Sequence, residues 1–449
     1  MSEQIKDIGD VVHDFSNLPD CILHHIMSFM STKEAVKSSI LSTRWKNHWP
    51  SLTNIYFDDD LLCDTDRKVD VTSFVNFVER VLRLRDALSM KKFRISFRVF
   101  RNASQIRSWI SHAIMQNVQE IDLSFVTIHP SVIPRSMFDS TSFVTLKIRM
   151  IGIIQLPSNV SFPCLKTLHL SFVRFPNDDC TEKLFLGCPV LEELELFQCK
   201  LNYLKNIVIS SSTLKSLTIC DPSKSSDLGG CKIKIDAVNL TYFKYNGFLF
   251  NKIILNNTPS LVKSFFNILN PERRINEVAF QAIDLFEELQ CVVSLKLSNL
   301  TMETLLYADS TNFPVFWNLS TLMLTTEIEM KHMVLLSFCP VLQSICFSEG
   351  FMRNMQLGEN NSIWSSIPTC ISNCLKTVTL KKFHGYNSEI YFLKCVLENA
   401  CVLENACVLE RVNIVWSESC LQDLNRKTKV RKDLGMIEKR STACVINFT

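Results

Sequence analysis

The sequence predicts an α/β solenoid of stacked repeats, with parallel strands on the concave face and short helices or loops on the convex face, preceded by a small all-α domain. Three observations predict it. A hexad of the form apolar-x-x-apolar-x-apolar recurs along most of the 449 residues. Its spacing falls in the range of about 20–29 residues used by leucine-rich repeats. Ahead of the clear hexads, the stretch from Leu18 to Trp49 has a helical period instead, with Ile22, Leu23, Ile26 and Phe29 on one apolar stripe.

Within Leu18 to Trp49, Leu18, Pro19 and Asp20 open a first helix, where proline's missing N–H costs nothing. Ser31 or Thr32 caps a second helix that carries Lys33, Glu34, Ala35 and Val36, and Ser42 caps a third that carries Arg44, Trp45 and Trp49. Three helices in so few residues bury little area alone, so this unit is expected to need a partner surface.

These residues carry a resemblance. The order Leu-Pro-Asp, Ile-Leu, Ile-Met-Ser-Phe, Thr-Lys-Glu-Ala-Val and Leu-Ser-Thr-Arg-Trp resembles the plant form of the F-box. Met30 and Ser31 stand where that family usually has Leu-Pro, and Cys21 stands where it usually has an acidic residue. The resemblance implies docking to a Skp-type adaptor, and through it to a cullin and a RING protein. It assigns the adaptor contacts to Leu18, Pro19, Ile22, Leu23, Ile26, Phe29, Val36, Leu41 and Trp45.

The hexads follow. Clear copies are built on Leu165, Leu168 and Leu170; Leu191, Leu194 and Leu196; Leu214, Leu217 and Ile219; and Leu240, Phe243 and Tyr245. Later copies are built on Val292, Leu295 and Leu297; Leu319, Leu322 and Leu324; Leu342, Ile345 and Phe347; Leu375, Val378 and Leu380; and Leu409, Val412 and Ile414. Weaker copies centre on Ile55, Phe93, Ile121, Leu146 and Ser264. Central residues advance by 22 from Leu146 to Leu168, by 26 to Leu194, by 23 to Leu217 and by 26 to Phe243. In a strand of period 2, Leu168 and Leu170 point into the stack while Thr167, His169 and Ser171 face out. Each repeat leaves strand edges unpaired until a neighbour stacks on it. Cys180 to Pro189 reads as a short returning helix ended by Gly187 and Pro189, and His332 to Pro340 repeats that design.

Toward the end the steps widen to 33, from Ile345 to Val378, and 34, from Val378 to Val412. The segment from Cys374 through Phe383, Gly385 and Glu389 to Ile414 resembles the FBD module that follows F-box and leucine-rich segments in plant proteins. The expected organisation is an F-box at 14–55, a leucine-rich-repeat solenoid at 56–365, and at 366–449 an FBD module that continues the solenoid and ends in a basic tail. Cys395 to Ala400 is repeated at once as Cys401 to Ala406. Six extra residues turn a helix by about 240° net, so one copy is expected to loop out or to bend the helix exit.

Composition excludes several classes. Net charge is +3, which gives no strong field for nucleic acid. No apolar run reaches the about 18 residues of a membrane span. The start, Met1 to Asp10, is polar and reads as no secretory signal. The 18 cysteines are therefore expected to be reduced core thiols, and the chain to work in the cytoplasm, the nucleus or both. The basic cluster Arg426 to Lys432 reads as a solvated tail or a nuclear-import patch.

No catalytic set is found. Glycine is scarce, Gly229 and Gly230 lack phosphate-loop spacing, and Cys370, Cys374 and His384 lack a second pair for a metal. His24 and His25 read as partner-facing or solvated. No enzyme, cofactor or metal is expected.

The resemblance implies a substrate-recognition subunit of a Skp–cullin–F-box ubiquitin ligase, with an unidentified protein target. The alternative is a leucine-rich-repeat scaffold or small-ligand receptor with a vestigial F-box. Outward residues of adjacent strands form the usual binding face of a repeat stack, which here offers His169, Glu193, Glu195, Phe197, Tyr242 and Lys244.

Overall fold

The hexads become strands because β-branched, leucine and aromatic side chains alternate with polar ones, and alternation sends successive side chains to opposite faces. In the computed structural model, residues 18–58, 71–86, 90–97, 102–125, 132–222, 230–249, 252–269, 275–307, 313–353, 366–400, 409–420, 422–437, 441 and 444–449 are described. The chain forms two units, Met1–Leu168 and His169–Thr449. Residues 1–17, Gly229 and the second copy of the duplication, Cys401 to Ala406, lie outside the described residues.

The first unit opens with α1 (Asp20–Ser28), α2 (Thr32–Ser38) and α3 (Thr43–His48). Parallel strands β1 (Asn54–Asp58), β2 (Lys92–Phe97), β3 (Glu120–Phe125) and β4 (Thr145–Ile153) follow, paired in that order. Ile55, Phe93, Ile121 and Leu146 fall opposite one another along the sheet, so the weak hexad centres form one buried row. Helices α4 (Val71–Leu84) and α5 (Ala103–Met115) return the chain. Their inward sides recur every three to four residues, as Phe74, Val78 and Val81, and as Ile106, Trp109, Ile110 and Ala113.

The three N-terminal helices are joined to the first strands within this unit. The Tyr56 amide donates to Thr32 Oγ1 at 2.8 Å, and Arg85 Nη2 donates to the Leu52 carbonyl at 2.8 Å. Strand β1 begins at Asn54, so a cut at residue 55 divides a strand that pairs with β2.

In the second unit the main parallel sheet contains β5 (Thr167–Arg174), which starts just before the boundary, then β6 (Glu193–Phe197), β8 (Ser216–Asp221), β10 (Tyr242–Phe248), β12 (Lys263–Leu269), β13 (Ser294–Leu297), β14 (Thr321–Leu324), β15 (Ser344–Phe347), β16 (Thr377–Phe383), β17 (Arg411–Trp416) and β18 (Val445–Phe448), in that spatial order. The register runs through Leu194, Leu217, Phe243, Ser264, Leu295, Leu322, Ile345, Val378, Val412 and Ile446. The widened C-terminal steps keep this register, because the extra residues between Ile345 and Val412 are taken up between strands, in part by α9 (Thr369–Asn373) and α10 (Asn387–Asn399).

Two expectations are corrected. Between the central repeats the returning segments are not helices or loops but strands. Segments β7 (Asn206–Ser210), β9 (Lys232–Asp236) and β11 (Lys252–Asn256) form a second parallel sheet in the order β11-β9-β7. Ile207, Ile233 and Ile253 align across it, as do Ile209, Ile235 and Leu255, and all six are buried. Their period-2 alternation of apolar and polar residues suits a strand and gives a helix no apolar stripe. Elsewhere the returns are helical: α6 (Asp178–Leu186), α7 (Ile275–Glu287), α8 (Asn299–Tyr307) and a 3-10 helix over Met330–Phe338.

The C-terminal basic stretch is also not a tail. It lies on α11 (Leu424–Gly435), whose Val430 and Leu434 are buried one turn apart, and β18 follows to pair with β17. The first copy of the duplication ends α10, with Val396 and Leu397 buried. Among the described residues no helix is long and apolar enough to cross a membrane.

Candidate functional site

The three N-terminal helices form a two-sided layer. On α1, Leu23 and Met27 face inward and are buried, together with Ala35, Trp45 and Trp49. The other stripe of α1 points out: Ile22 is 42% exposed and Phe29 78%, with Ile26 half-buried between them. At the exit of α2, Ile40 is 86% exposed and Leu41 67%.

The sequence-predicted docking set therefore splits. Pro19, Ile22, Phe29 and Leu41 are exposed, and Leu18, Ile26 and Val36 half-buried. Leu23 and Trp45 are corrected from contact residues to core residues: Trp45 is only 4% exposed, so its contribution is to hold the helices that present the others. Ile40 was missed; its signal was a second bare aliphatic beside Leu41.

Polar contacts fix this layer. Ser31 accepts from the Glu34 amide at 3.2 Å while Glu34 Oε2 accepts from the Ser31 amide at 2.9 Å, a reciprocal cap on α2. Ser31 thus supplies the cap of α2 itself. Ser42 accepts from the Trp45 amide at 3.3 Å. Arg44 on α3 pairs with Asp20 on α1, and that hydrogen bond holds the Asp20 carboxyl below its ordinary value. His24 turns inward to His48, at 3.3 Å, rather than to a partner, while His25 is exposed beside Phe29.

The second surface is the outward side of the main sheet in His169–Thr449. Here His169, Glu193, Glu195, Phe197, Tyr242 and Lys244 are all half-buried. His169 Nε2 lies 3.0 Å from Glu193 Oε1, and His169 Nδ1 lies 3.9 Å from Glu195 Oε2. Phe197 is met edge-on by Phe172 at 5.6 Å, so this ring is partly covered by its own chain. Phe172 has φ of 60°, a left-handed backbone that aromatic residues rarely adopt. Tyr242 and Lys244 lie on β10, in line with Glu193 and Glu195 through β8. Phe265, Lys296 and Met323 continue the line of Lys244 and were missed, although each directly follows a hexad centre.

Buried cysteines are poor nucleophiles here. Burial pushes the thiols of Cys188, Cys199, Cys231 and Cys370 up to about 12. Cys370 donates to the Leu336 carbonyl, and His384 stacks on Tyr386. Among the described residues no three His, Cys, Asp or Glu are placed to hold a metal ion.

Glu389 is a buried carboxylate at the start of α10. It accepts from the amides of His384, at 3.1 Å, and Tyr386, at 2.9 Å, yet burial outweighs these bonds and pushes it up to about 7 from 4.5. The raised value means the folded chain holds this proton more tightly than the unfolded one. Its stabilising effect is complete below about 4.5 and is lost as pH rises through about 7. Between those limits the loss is of order 3 kcal/mol. Urea midpoints of wild type and Glu389→Gln at pH 5 and pH 8 check this: the wild type is expected to lose stability relative to the variant, and equal changes in both would dismiss it.

The F-box domain family matches residues 15–55, the LRR repeats of "FBD-associated F-box protein At5g56370" match 106–242, and FBD matches 363–408. The "F-box/FBD/LRR-repeat protein At1g51370" of Arabidopsis thaliana is 27% identical over 440 residues, covering 96% of this chain and 94% of the relative. The "Putative F-box/FBD/LRR-repeat protein At3g59240" of the same plant is 31% identical over 351 residues, covering 74% and 68%. The chain belongs to the F-box/FBD/LRR-repeat family. As a member it is an F-box adaptor protein of a typically non-catalytic kind, and its F-box implies binding to a Skp-type adaptor in general. Within this F-box/FBD/LRR-repeat protein, Glu389 and the buried end of α10 fall inside the FBD match.

Proposed function

We propose that the chain is the substrate-recognition subunit of a Skp–cullin–F-box ubiquitin ligase. The F-box at 14–55 docks the Skp-type adaptor, which links it to a cullin and a RING protein. The repeats at 56–365 and the FBD-containing segment at 366–449 hold a protein target. One observation supports docking above the rest: the F-box has completed its own core with Leu23, Met27, Ala35 and Trp45, and still presents Ile22, Phe29, Ile40 and Leu41 to solvent. Large apolar side chains left exposed on so small a layer are the mark of an interface. The chain then needs no chemistry of its own. It raises the local concentration of target lysines beside the charged conjugating enzyme. Reduced thiols suit work in the cytoplasm, the nucleus or both.

The test is capture of a purified Skp-type adaptor by the full chain. Phe29→Asp and Ile22→Asp are each expected to weaken capture by about 30-fold, the loss of one hot-spot contact of about 2 kcal/mol. Because both side chains are already exposed, thermal unfolding is expected to stay at the wild-type temperature. Undiminished capture by both variants would remove this docking face.

A further inference from the structure

The outward side of the main sheet in His169–Thr449 is divided by charge. At its β5–β6 end, Glu193 and Glu195 flank His169. From β10 to β16 the sign reverses. The outward positions of these strands carry Lys244, Lys263, Lys296 and Lys381 and no aspartate or glutamate. Among the described residues none of these four lysines forms an ion pair, whereas Lys382, beside Lys381, is paired with Glu349. Four like charges held near one another without counter-charges repel, and they attract an anionic partner.

The register places apolar groups among these lysines. One row across the strands reads Lys244, Phe265, Lys296, Met323, Cys346. Lys244 Nζ lies 5.6 Å from the centre of the Phe265 ring. Lys296 and Lys381 are both near enough to the Cys346 thiol, at the β15 end of this row, to act on it electrostatically. Neighbouring strands are about 4.8 Å apart, so β10 to β16 spans about 24 Å, the length of about seven extended residues.

We propose that this strip docks an extended acidic segment of the protein target, about seven residues long, lying across the strands. Its carboxylates meet Lys244, Lys263, Lys296 and Lys381, and one apolar side chain rests on Phe265 and Met323. The proposal rests on the reading of this sheet side as the target face and gives that target its chemistry. Charge complementarity selects an acidic partner, and half-buried Phe265 and Met323 ask for an apolar contact that a uniform polyanion lacks. A nucleic-acid backbone would also run beyond the lysines onto Glu193 and Glu195.

Phage-displayed random octapeptides selected on the full chain bound to its Skp-type adaptor test this. Selection is expected to enrich aspartate and glutamate with one leucine or phenylalanine. The best peptide is expected to bind at least tenfold more weakly to Lys244→Glu/Lys296→Glu, to bind the milder Lys244→Gln/Lys296→Gln with intermediate affinity, and to weaken as sodium chloride rises from 50 to 300 mM. Glu193→Gln/Glu195→Gln is expected to leave it unchanged. Three results overturn the proposal: no acidic enrichment, equal binding by wild type and the charge-reversed variant, or a polyuridine oligonucleotide that displaces the peptide at lower concentration than unlabelled peptide does. Adaptor capture is read in the same samples. Its loss in wild type strikes at the ligase reading, whereas capture with no acidic preference strikes at this inference alone.

Discussion

Gly247→Ala is expected to destabilise His169–Thr449 by about 3 kcal/mol or more, while Asn246→Ala, one residue away, changes stability by less than about 1 kcal/mol. Gly247 lies near the end of β10, opposite Asp221 of β8 on one side and Ile268 of β12 on the other. A Cβ built there falls well inside contact distance of the Asp221 carbonyl oxygen and 2.9 Å from its carbonyl carbon. These are backbone atoms of a paired strand, so no rotamer change relieves the contact. Either β8 or β10 must shift, and pairing to β6 or β12 shifts with it. Asn246 faces outward, half-buried, donating to Cys220 Sγ and accepting from Asn267, so its truncation removes polar contacts without forcing the backbone. Urea midpoints and hydrogen exchange across β8, β10 and β12 measure the difference. Equal, small effects for both variants would show that the strands can separate to admit a methyl group.

The same pair shows where sequence reading succeeds and where it stops. An asparagine–glycine step is locally a turn signal, yet it lies inside β10 because the hexad on Leu240, Phe243 and Tyr245 imposes a strand and its neighbours pair it. Repeat-level pattern outweighs local propensity, which is why the centres from Ile55 to Leu146 and from Leu194 to Val412 are legible in the amino-acid order alone. Strand β18 is not, since its hexad opens on the small Ala443 instead of a large apolar residue and its pairing with β17 completes it. The second sheet is hidden because β7, β9 and β11 are short and are specified by each other across 20 to 26 residues. In the F-box, periodicity reads Ile22, Leu23, Ile26 and Phe29 as one stripe, whereas packing in the folded layer, α3 on α1 included, covers Leu23 and leaves Ile22 and Phe29 exposed. The acidic–basic division of the sheet face is similarly invisible, because it depends on strand neighbours rather than sequence neighbours.

Trp45→Ala is expected to abolish adaptor capture by a different route from Phe29→Asp. Trp45 is buried against the small core made by Leu23, Met27 and Ala35. Removing a buried tryptophan side chain costs about 3–5 kcal/mol through lost transfer energy and an unfilled cavity. A layer of three short helices has little other area to offset that. Helices α1 to α3 are therefore expected to exchange their amide hydrogens at unfolded-like rates, and Ile22, Phe29, Ile40 and Leu41 lose their common presentation even though none of them is altered. In Phe29→Asp the same amides are expected to stay protected while capture falls. Exchange in strands β6 to β17 is expected to match wild type in both, because their core residues do not include Trp45. The discriminating result is protection in Trp45→Ala: if α1 to α3 remain protected while capture is lost, Trp45 touches the adaptor directly and its assignment to the internal core must be given up.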